Sequence, residues 1–186
     1  MQLPDVPLSP VGIGQAERLA ARVAQLGGAR ILASDLLRAH MTAEPIAARL
    51  GLPIESHPLL QERNFGDLRG TPYTEFRTDP FAPDYEPPNG ESWAVFHARV
   101  AQAFALITAC AAETQGNLVV VTHGFVCRAI VARHVPLAPG QVVPERFANT
   151  GLTILDSEPP HHARLIDCAE HLTEAEEERA TRGGAA

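Results

Sequence analysis

The stretch that decides the fold is LVVVTHGFVCRAIVARH, residues 118–134. It begins with four consecutive apolar residues, which is typical of a parallel strand buried on both faces. It then passes through Thr122-His123-Gly124 into a helix that we predict from Phe125 to about His134. Residues 31–50, ILASDLLRAHMTAEPIAARL, repeat the arrangement with a short apolar strand and a helix from about Leu36 to Leu50. Strands that alternate with helices predict an α/β domain with a mostly parallel sheet.

The other elements follow from local start and stop signals. Ser9 followed by Pro10 marks a helix start, and Gly27-Gly28 ends that helix. The segment Gln61–Asn89 lacks periodicity, and a loop of this length is usually functional. A long helix is predicted over Glu91–Glu113. Three short strands are also predicted, one within residues 53–60 and the others at 152–155 and 164–166. We expect a single domain, followed by a charged, flexible tail at 173–186.

Composition limits the classes of function. The 186 residues are 45% hydrophobic and 20% charged, as in an ordinary globular protein. No apolar stretch approaches eighteen residues and no secretory signal opens the chain, so we expect no membrane association. The net charge of −7 argues against nucleic-acid partners. All fifteen basic residues are Arg, which excludes lysine chemistry. The three cysteines form no CxxC pair, which favours a cytoplasmic location.

Two side chains that carry or can acquire positive charge follow predicted strands, Arg38 and His123. A cation at a helix N-terminus is unfavourable by about 0.3–1 kcal/mol, because it faces the positive end of the helix dipole. An anion held by these residues and the free backbone N–H groups would explain the arrangement, and phosphate is the obvious candidate. Arg38 alone could equally be a solvated arginine, and many histidines in the position of His123 only cap a helix.

Glu62 lies in LLQERNFGDLRG, residues 59–70, where the aperiodic loop begins. A carboxylate near a bound phosphate has its pKa raised by the like charge, as a general acid or base requires. From the residues alone, we prefer the alternative of a surface glutamate paired with Arg63 or Arg69. The histidines show no metal-ligand spacing such as HExxH, so we predict no metal and no other cofactor.

Six blocks of sequence carry a resemblance to a known family: DVPLSPVGIGQAERLA, ASDLLRAHMTAEPIA, LLQERNFGDLRG, PPNGESWAVFHARV, VVVTHGFVCRAI and FANTGLTIL. In this order the chain resembles the histidine phosphatase (phosphoglycerate mutase-like) superfamily from Asp5 to about Leu172. The resemblance implies one domain at 1–172, built as a three-layer αβα sandwich. It also implies phosphoryl transfer through a phosphohistidine, without a metal.

The resemblance assigns roles to single positions. Glu62 matches the proton donor to the leaving oxygen, and His123 matches a pocket histidine that stabilises the transferring phosphoryl group. Arg38 matches an arginine of the phosphate pocket. The resemblance thus implies that Glu62 and His123 are catalytic and that Arg38, His123 and Gly124 bind phosphate. Residues 90–92, Gly-Glu-Ser, match a recurrent element before the long helix.

One departure from the family is pronounced. The family signature, an Arg-His-Gly whose histidine is the nucleophile, occurs nowhere in the sequence. The resemblance places it at the end of a first strand upstream of Asp5, between the strands at 118–121 and 152–155. We therefore expect a strand and its loop, on the order of 20 residues, to be missing. We also expect that His123 does not replace the nucleophile, because it would attack from the wrong side of the pocket.

Two interpretations of this departure remain. We prefer that Met1 is not the true start and that the whole protein is a phosphatase of small phosphomonoesters. The alternative is a non-catalytic, phosphate-binding pseudoenzyme or scaffold. Mutase activity of the phosphoglycerate type is a second alternative, although such mutases generally carry longer inserted loops.

The sequence leaves the ligands and partners open. The expected partner is a small phosphorylated metabolite, bound beneath the loop Arg69–Asn89, where Arg77 could contact the leaving group. The gap left by a missing strand could also drive formation of a homodimer.

Overall fold

The computed structural model describes residues 3–76 and 78–173. Arg77 and residues 174–186 lie outside the described residues, and so does the structure of the predicted tail beyond Thr173. The described helices and strands follow in the order α1 (Pro10–Leu26), β1 (Arg30–Ala33), α2 (Leu37–Leu50), β2 (Ile54–Ser56), α3 (Trp93–Glu113), β3 (Leu118–Val121), α4 (Gly124–His134), β4 (Leu152–Leu155) and β5 (Ala163–Cys168). Every predicted helix and strand is present, and most of their ends lie within one or two residues of the predicted position.

Three strands form a parallel sheet in the order β2-β1-β3, with Ile31 opposite Val119. Successive side chains of a strand point to opposite faces of the sheet, so neighbouring residues of these strands pack into different hydrophobic clusters. Ile31 and Val119 pack among α1 and α2, whereas Leu32 and Val120 pack against α3. Strands β4 and β5 pair antiparallel and contribute to a core with α3 and α4. The three-layer αβα architecture with a mostly parallel sheet is therefore confirmed.

Helix α1 begins and ends as its sequence predicts. The Ser9 hydroxyl accepts a hydrogen bond from the Gly12 N–H at 3.1 Å, and Pro10 occupies the first helical position. Gly27 ends the helix with a φ of 72°, a backbone conformation that residues with a Cβ rarely adopt. This helix and α2 cover one face of the parallel sheet.

A large cavity separates the two sheets. In the described part of the chain, β3 pairs only with β1 and β4 pairs only with β5. The cavity has a volume of about 1860 Å³ and is lined by every residue of β3 and β4. Apolar side chains from both helix layers also line it, among them Leu19, Val23, Phe104 and Ile130. Ligand pockets usually measure about 300–1,000 Å³, so this space exceeds what a small molecule needs. It lies where the resemblance places a further strand, which stays a prediction.

Helix α3 is long and apolar enough, by length and composition alone, to cross a membrane. Its Phe96, Val100 and Ala103 are fully buried within the protein. Its Arg99 forms an ion pair with Glu91. These contacts are those of a core helix that supports the sheet.

Candidate active site

The carboxyl ends of β1 and β3 bring two polar side chains into contact. His123 follows β3 and occupies the N-cap position of α4, and its Nε2 lies 2.8 Å from the Ser34 hydroxyl. Ser34 follows β1, is completely buried, and accepts a hydrogen bond from the Leu36 N–H at 3.3 Å. Because β1 and β3 are parallel neighbours, their following residues meet at one edge of the sheet.

His123 is held as a neutral imidazole at neutral pH. It is 9% exposed, and burial lowers its pKa to about 3, with a further contribution from the positive charges of Arg38 and Arg99. A neutral ring can donate one hydrogen bond and accept another. A bound phosphate dianion would favour protonation of this ring, since it brings negative charge into the site.

This pKa predicts a pH dependence of stability. Between pH 6.5 and about 3, the unfolded chain binds a proton on His123 and the folded chain does not. Stability should therefore fall as the pH is lowered through this window, by up to about 1.4 kcal/mol per pH unit from this group. Urea unfolding at pH 7 and pH 4.5 measures the effect, with His123→Gln as the control for the other titrating groups. Equal pH dependence in both proteins would contradict the assignment.

Glu62 is a half-buried acceptor of backbone N–H groups, which corrects the interpretation as a surface glutamate paired with Arg63 or Arg69. One carboxylate oxygen accepts the Arg63 N–H at 2.9 Å. The other accepts the N–H of Phe125, in the first turn of α4, at 3.2 Å. Burial raises the pKa of Glu62, although these two hydrogen bonds and the charges of Arg38 and Arg99 oppose the shift. A raised pKa moves a carboxyl group toward the range that a general acid or base needs.

Arg99 holds the segment that carries Glu62. Its guanidinium donates to the carbonyl oxygens of Leu59 at 2.8 Å, Gln61 at 2.7 Å and Glu62 at 3.3 Å. It also forms a two-pronged ion pair with Glu91, at 2.7 and 2.8 Å. The position of Glu62 therefore depends on helix α3, which lies 30 or more residues away in the sequence.

Arg38 lies in the first turn of α2, and its Nη1 donates to the Leu3 carbonyl oxygen at 3.4 Å. Burial lowers the pKa of Arg38 and the neighbouring Arg69 adds to this, whereas Glu62 opposes it. An arginine stays protonated in proteins despite such shifts. Arg38, Glu62, His123 and Gly124 all line the same cavity, so the structure brings the four predicted site residues together.

Gly124 opens helix α4 without a close neighbour. A Cβ added there would meet no atom within 4 Å. The glycine thus leaves free space in front of the helix N-terminus, where backbone N–H groups favour anions. Whether Gly124 contacts phosphate stays a prediction.

Arg63 anchors the loop between Gln61 and Ser92. It is 2% exposed, and its guanidinium donates to the carbonyl oxygens of Glu91, Pro80 and Tyr85 at 3.1, 3.3 and 2.9 Å. It also lies 3.8 Å from the centre of the Trp93 ring. The aperiodic loop is thereby fixed over one side of the cavity.

Replacing Arg63 by Met should destabilise the protein by about 3 kcal/mol, because three carbonyl groups, one buried and two half-buried, lose their donor. Arg49→Met is the matched control, since Arg49 is exposed and forms an ion pair with Glu17 at 3.0 Å. An exposed pair is worth about 0–1 kcal/mol. Thermal unfolding of both variants measures the difference, and equal losses would show that Arg63 is not an anchor.

Three residues of the site escaped prediction from the sequence: Ser34, Glu91 in its role with Arg99, and Arg99 itself. Ser34 had a usable signal, because it follows β1 as His123 follows β3. The contacts of Arg99 had no such signal in the sequence, because they connect a helix to a loop that is distant along the chain. Within residues 3–76 and 78–173, no three His, Cys, Asp or Glu side chains are grouped for a metal ion.

Comparisons with known proteins agree with this architecture. The sequence profile of the histidine phosphatase superfamily (branch 1) matches residues 2–167. The probable phosphoglycerate mutase GpmB of Yersinia pestis (strain Pestoides F) is 43% identical over 68 residues. Those residues are 37% of this chain and 32% of the relative, so the match spans about a third of that relative's length.

Solved structures resemble the chain over most of its length. YhfR of Bacillus stearothermophilus has a TM-score of 0.78 at 26% identity, covering 92% of this chain and 90% of that one. A mycobacterial glucosyl-3-phosphoglycerate phosphatase, in complex with inorganic phosphate, has a TM-score of 0.74 at 24% identity and covers 93% of each chain. The alpha-ribazole phosphatase of Shigella flexneri has a TM-score of 0.74 at 23% identity, over 89% and 86%. The last two likenesses concern the fold alone.

Proposed function

The chain belongs to the histidine phosphatase superfamily, and from that premise we propose that it forms the phosphoryl-transfer site of a phosphatase acting on a small phosphorylated metabolite. One observation carries the proposal. Arg38, Glu62 and His123 come from three separate segments and line one cavity, and the charge of Arg38 contributes to the pKa of both Glu62 and His123. Together they offer a cation, a proton donor and a neutral imidazole, which are the groups, besides the nucleophile, that the proposed hydrolysis of a monoester uses.

The proposed reaction has two steps. In the first, a nucleophilic imidazole attacks phosphorus, the bond to the leaving oxygen breaks, and the protonated Glu62 gives its proton to that oxygen. In the second, a water oxygen attacks phosphorus, the phosphorus–nitrogen bond breaks, and the Glu62 carboxylate takes a proton from the water. Arg38 and His123 stabilise the charge on the transferring group, so that this chemistry draws on the protein's own cations and hydrogen bonds.

The proposal assigns the nucleophile to a segment that is not among these 186 residues. His123 is hydrogen-bonded to Ser34 and buried, and it serves as a pocket residue rather than the attacking group. The cavity between β3 and β4 supports the proposal, because an extended segment there would end beside the site. The DNA sequence upstream of the Met1 codon is a direct check, since it either encodes an in-frame strand ending in Arg-His-Gly or does not.

A non-catalytic role is the second candidate. Its supporting observation is that the phosphate-binding residues are present while the Arg-His-Gly signature is not. Such a protein would bind phosphate and never turn over an ester. Phosphoryl transfer of the mutase type rests on the 68-residue match to a probable phosphoglycerate mutase, and a 3-phosphoglycerate assay tests it.

Binding of inorganic phosphate tests the part of the proposal that both candidates share. Titration calorimetry on the 186-residue chain should detect a single site. If a His123→Gln, Arg38→Ala double variant binds phosphate with unchanged heat, the phosphate site lies elsewhere and the proposal is contradicted.

A further inference from the structure

Four aromatic rings form a continuous surface beside Glu62, which we name the aromatic wall: Phe65, Phe81, Trp93 and Phe125. The ring centres lie 6.0 Å apart for Phe65 and Phe81, 5.6 Å for Phe81 and Phe125, and 5.8 Å for Trp93 and Phe125. All four residues line the cavity. The wall is thus one face of the space that contains the phosphate-binding residues.

The backbone of the aromatic wall contacts Glu62, the proposed proton donor. The Phe125 N–H donates to the Glu62 carboxylate at 3.2 Å, and Phe65 follows Glu62 by three residues. The proposed function makes Glu62 the donor to the leaving oxygen. A leaving oxygen that takes its proton from Glu62 would therefore carry its carbon skeleton close to the rings of the wall.

The wall offers rings rather than polar groups to a ligand. The Arg63 guanidinium behind it is 2% exposed and is occupied by three carbonyl oxygens. The Trp93 Nε1–H is likewise committed, because it donates to the Ala82 carbonyl oxygen at 2.9 Å. Phe81 and Phe125 stay half-buried, so their rings retain surface for a ligand to cover.

We propose that the aromatic wall is the leaving-group subsite and that it selects phosphate monoesters of aromatic or bulky apolar alcohols over monoesters of polyols or hydroxy acids. The inference rests on the proposed function for the position of the phosphorus atom. Its physical basis is that an apolar leaving group buries ring surface at the wall, whereas a polar one would lose its hydration there without a partner.

Binding of non-hydrolysable phosphonates to the 186-residue chain tests the subsite without requiring turnover. Phenylphosphonate should bind at least about tenfold more tightly than methylphosphonate, because its ring covers apolar surface of the wall. Phosphonoacetate, which carries a carboxylate instead, should bind no more tightly than methylphosphonate. Titration calorimetry with each probe gives the three affinities.

Variants locate the effect within the cavity. Phe81→Ala should reduce the preference for phenylphosphonate to about twofold or less and leave methylphosphonate binding unchanged. Phe104→Ala is the matched control, because Phe104 also lines the cavity but stacks on His134 with ring centres 5.0 Å apart. It should keep the preference.

The outcomes separate this inference from the proposed function. Equal affinities for phenylphosphonate and methylphosphonate in the unmodified chain would overturn the subsite and leave the phosphate site intact, and this comparison needs no variant to fold. A preference that survives Phe81→Ala would also overturn it, since the ring would then bind elsewhere in the cavity. Failure of inorganic phosphate to compete with either phosphonate would overturn the proposed function itself.

Discussion

Fusing an extended apolar segment that ends in Arg-His-Gly ahead of Met1 is expected to switch on hydrolysis of p-nitrophenyl phosphate. The unextended chain should show only the background rate. The extended chain should exceed it by roughly 10³-fold or more, since loss of the nucleophile costs about 10⁶-fold in a well-studied covalent enzyme. A large increase is expected because, under the proposed function, the nucleophile is the one group that the extension adds to Arg38, Glu62 and His123.

The geometry of the cavity explains why such a segment should fit. Strands β3 and β4 each have an unpaired edge in the described part of the chain, and both line the cavity. Apolar side chains of the two helix layers line its faces, so a segment that is apolar on both sides would be buried there. The Leu3 carbonyl oxygen is bonded to Arg38 at the carboxyl end of β1. A strand parallel to β3 would therefore end close to Leu3.

The same extension with asparagine in place of its histidine is the matched control. It should occupy the cavity and raise the melting temperature as much as the parent extension, but leave hydrolysis at background. Equal hydrolysis by both extended chains, or hydrolysis by the unextended chain that disappears in His123→Ala, would show that the nucleophile lies within the 186 residues.

Arg38→Ala is expected to weaken binding of inorganic phosphate by about 10- to 100-fold, since a hydrogen bond to a charged group is worth about 1.5–3 kcal/mol. Arg38 is half-buried and its charge acts on both Glu62 and His123. The loss should be larger at low ionic strength, where the attraction between Arg38 and phosphate is less screened. Titration calorimetry at two salt concentrations measures it.

Arg49→Ala serves as the control for the loss of one positive charge. Arg49 also lies in α2, but it is exposed and pairs with Glu17. Its replacement should change phosphate affinity by less than about twofold. If the two variants bind phosphate equally well, Arg38 is a surface arginine and the phosphate pocket is wrongly placed.

Local signals predicted the helices and the strands, and they indicated that Arg38 and His123 each follow a strand. The strand-to-helix turns at Ser34 and His123 were predictable because each depends on a few consecutive residues. Since adjacent parallel strands end at the same edge, the proximity of Arg38 and His123 followed from topology.

The setting of Glu62 depended on contacts that no local pattern encodes. Its segment is held by Arg99 from the second turn of α3, and its carboxylate accepts the N–H of Phe125. From the sequence, a glutamate next to Arg63 looked like half of a surface pair. The structure instead directs Arg63 to three carbonyl oxygens, which leaves the Glu62 carboxylate to face the cavity.

The most direct test of the central claim is to identify the phosphorylated residue in the extended chain. The protein would be mixed with a ³²P-labelled phosphodonor, quenched in alkali within milliseconds, digested and analysed by mass spectrometry. We expect phosphohistidine on the added Arg-His-Gly segment and none on His123. Phosphate on His123 would contradict the central claim.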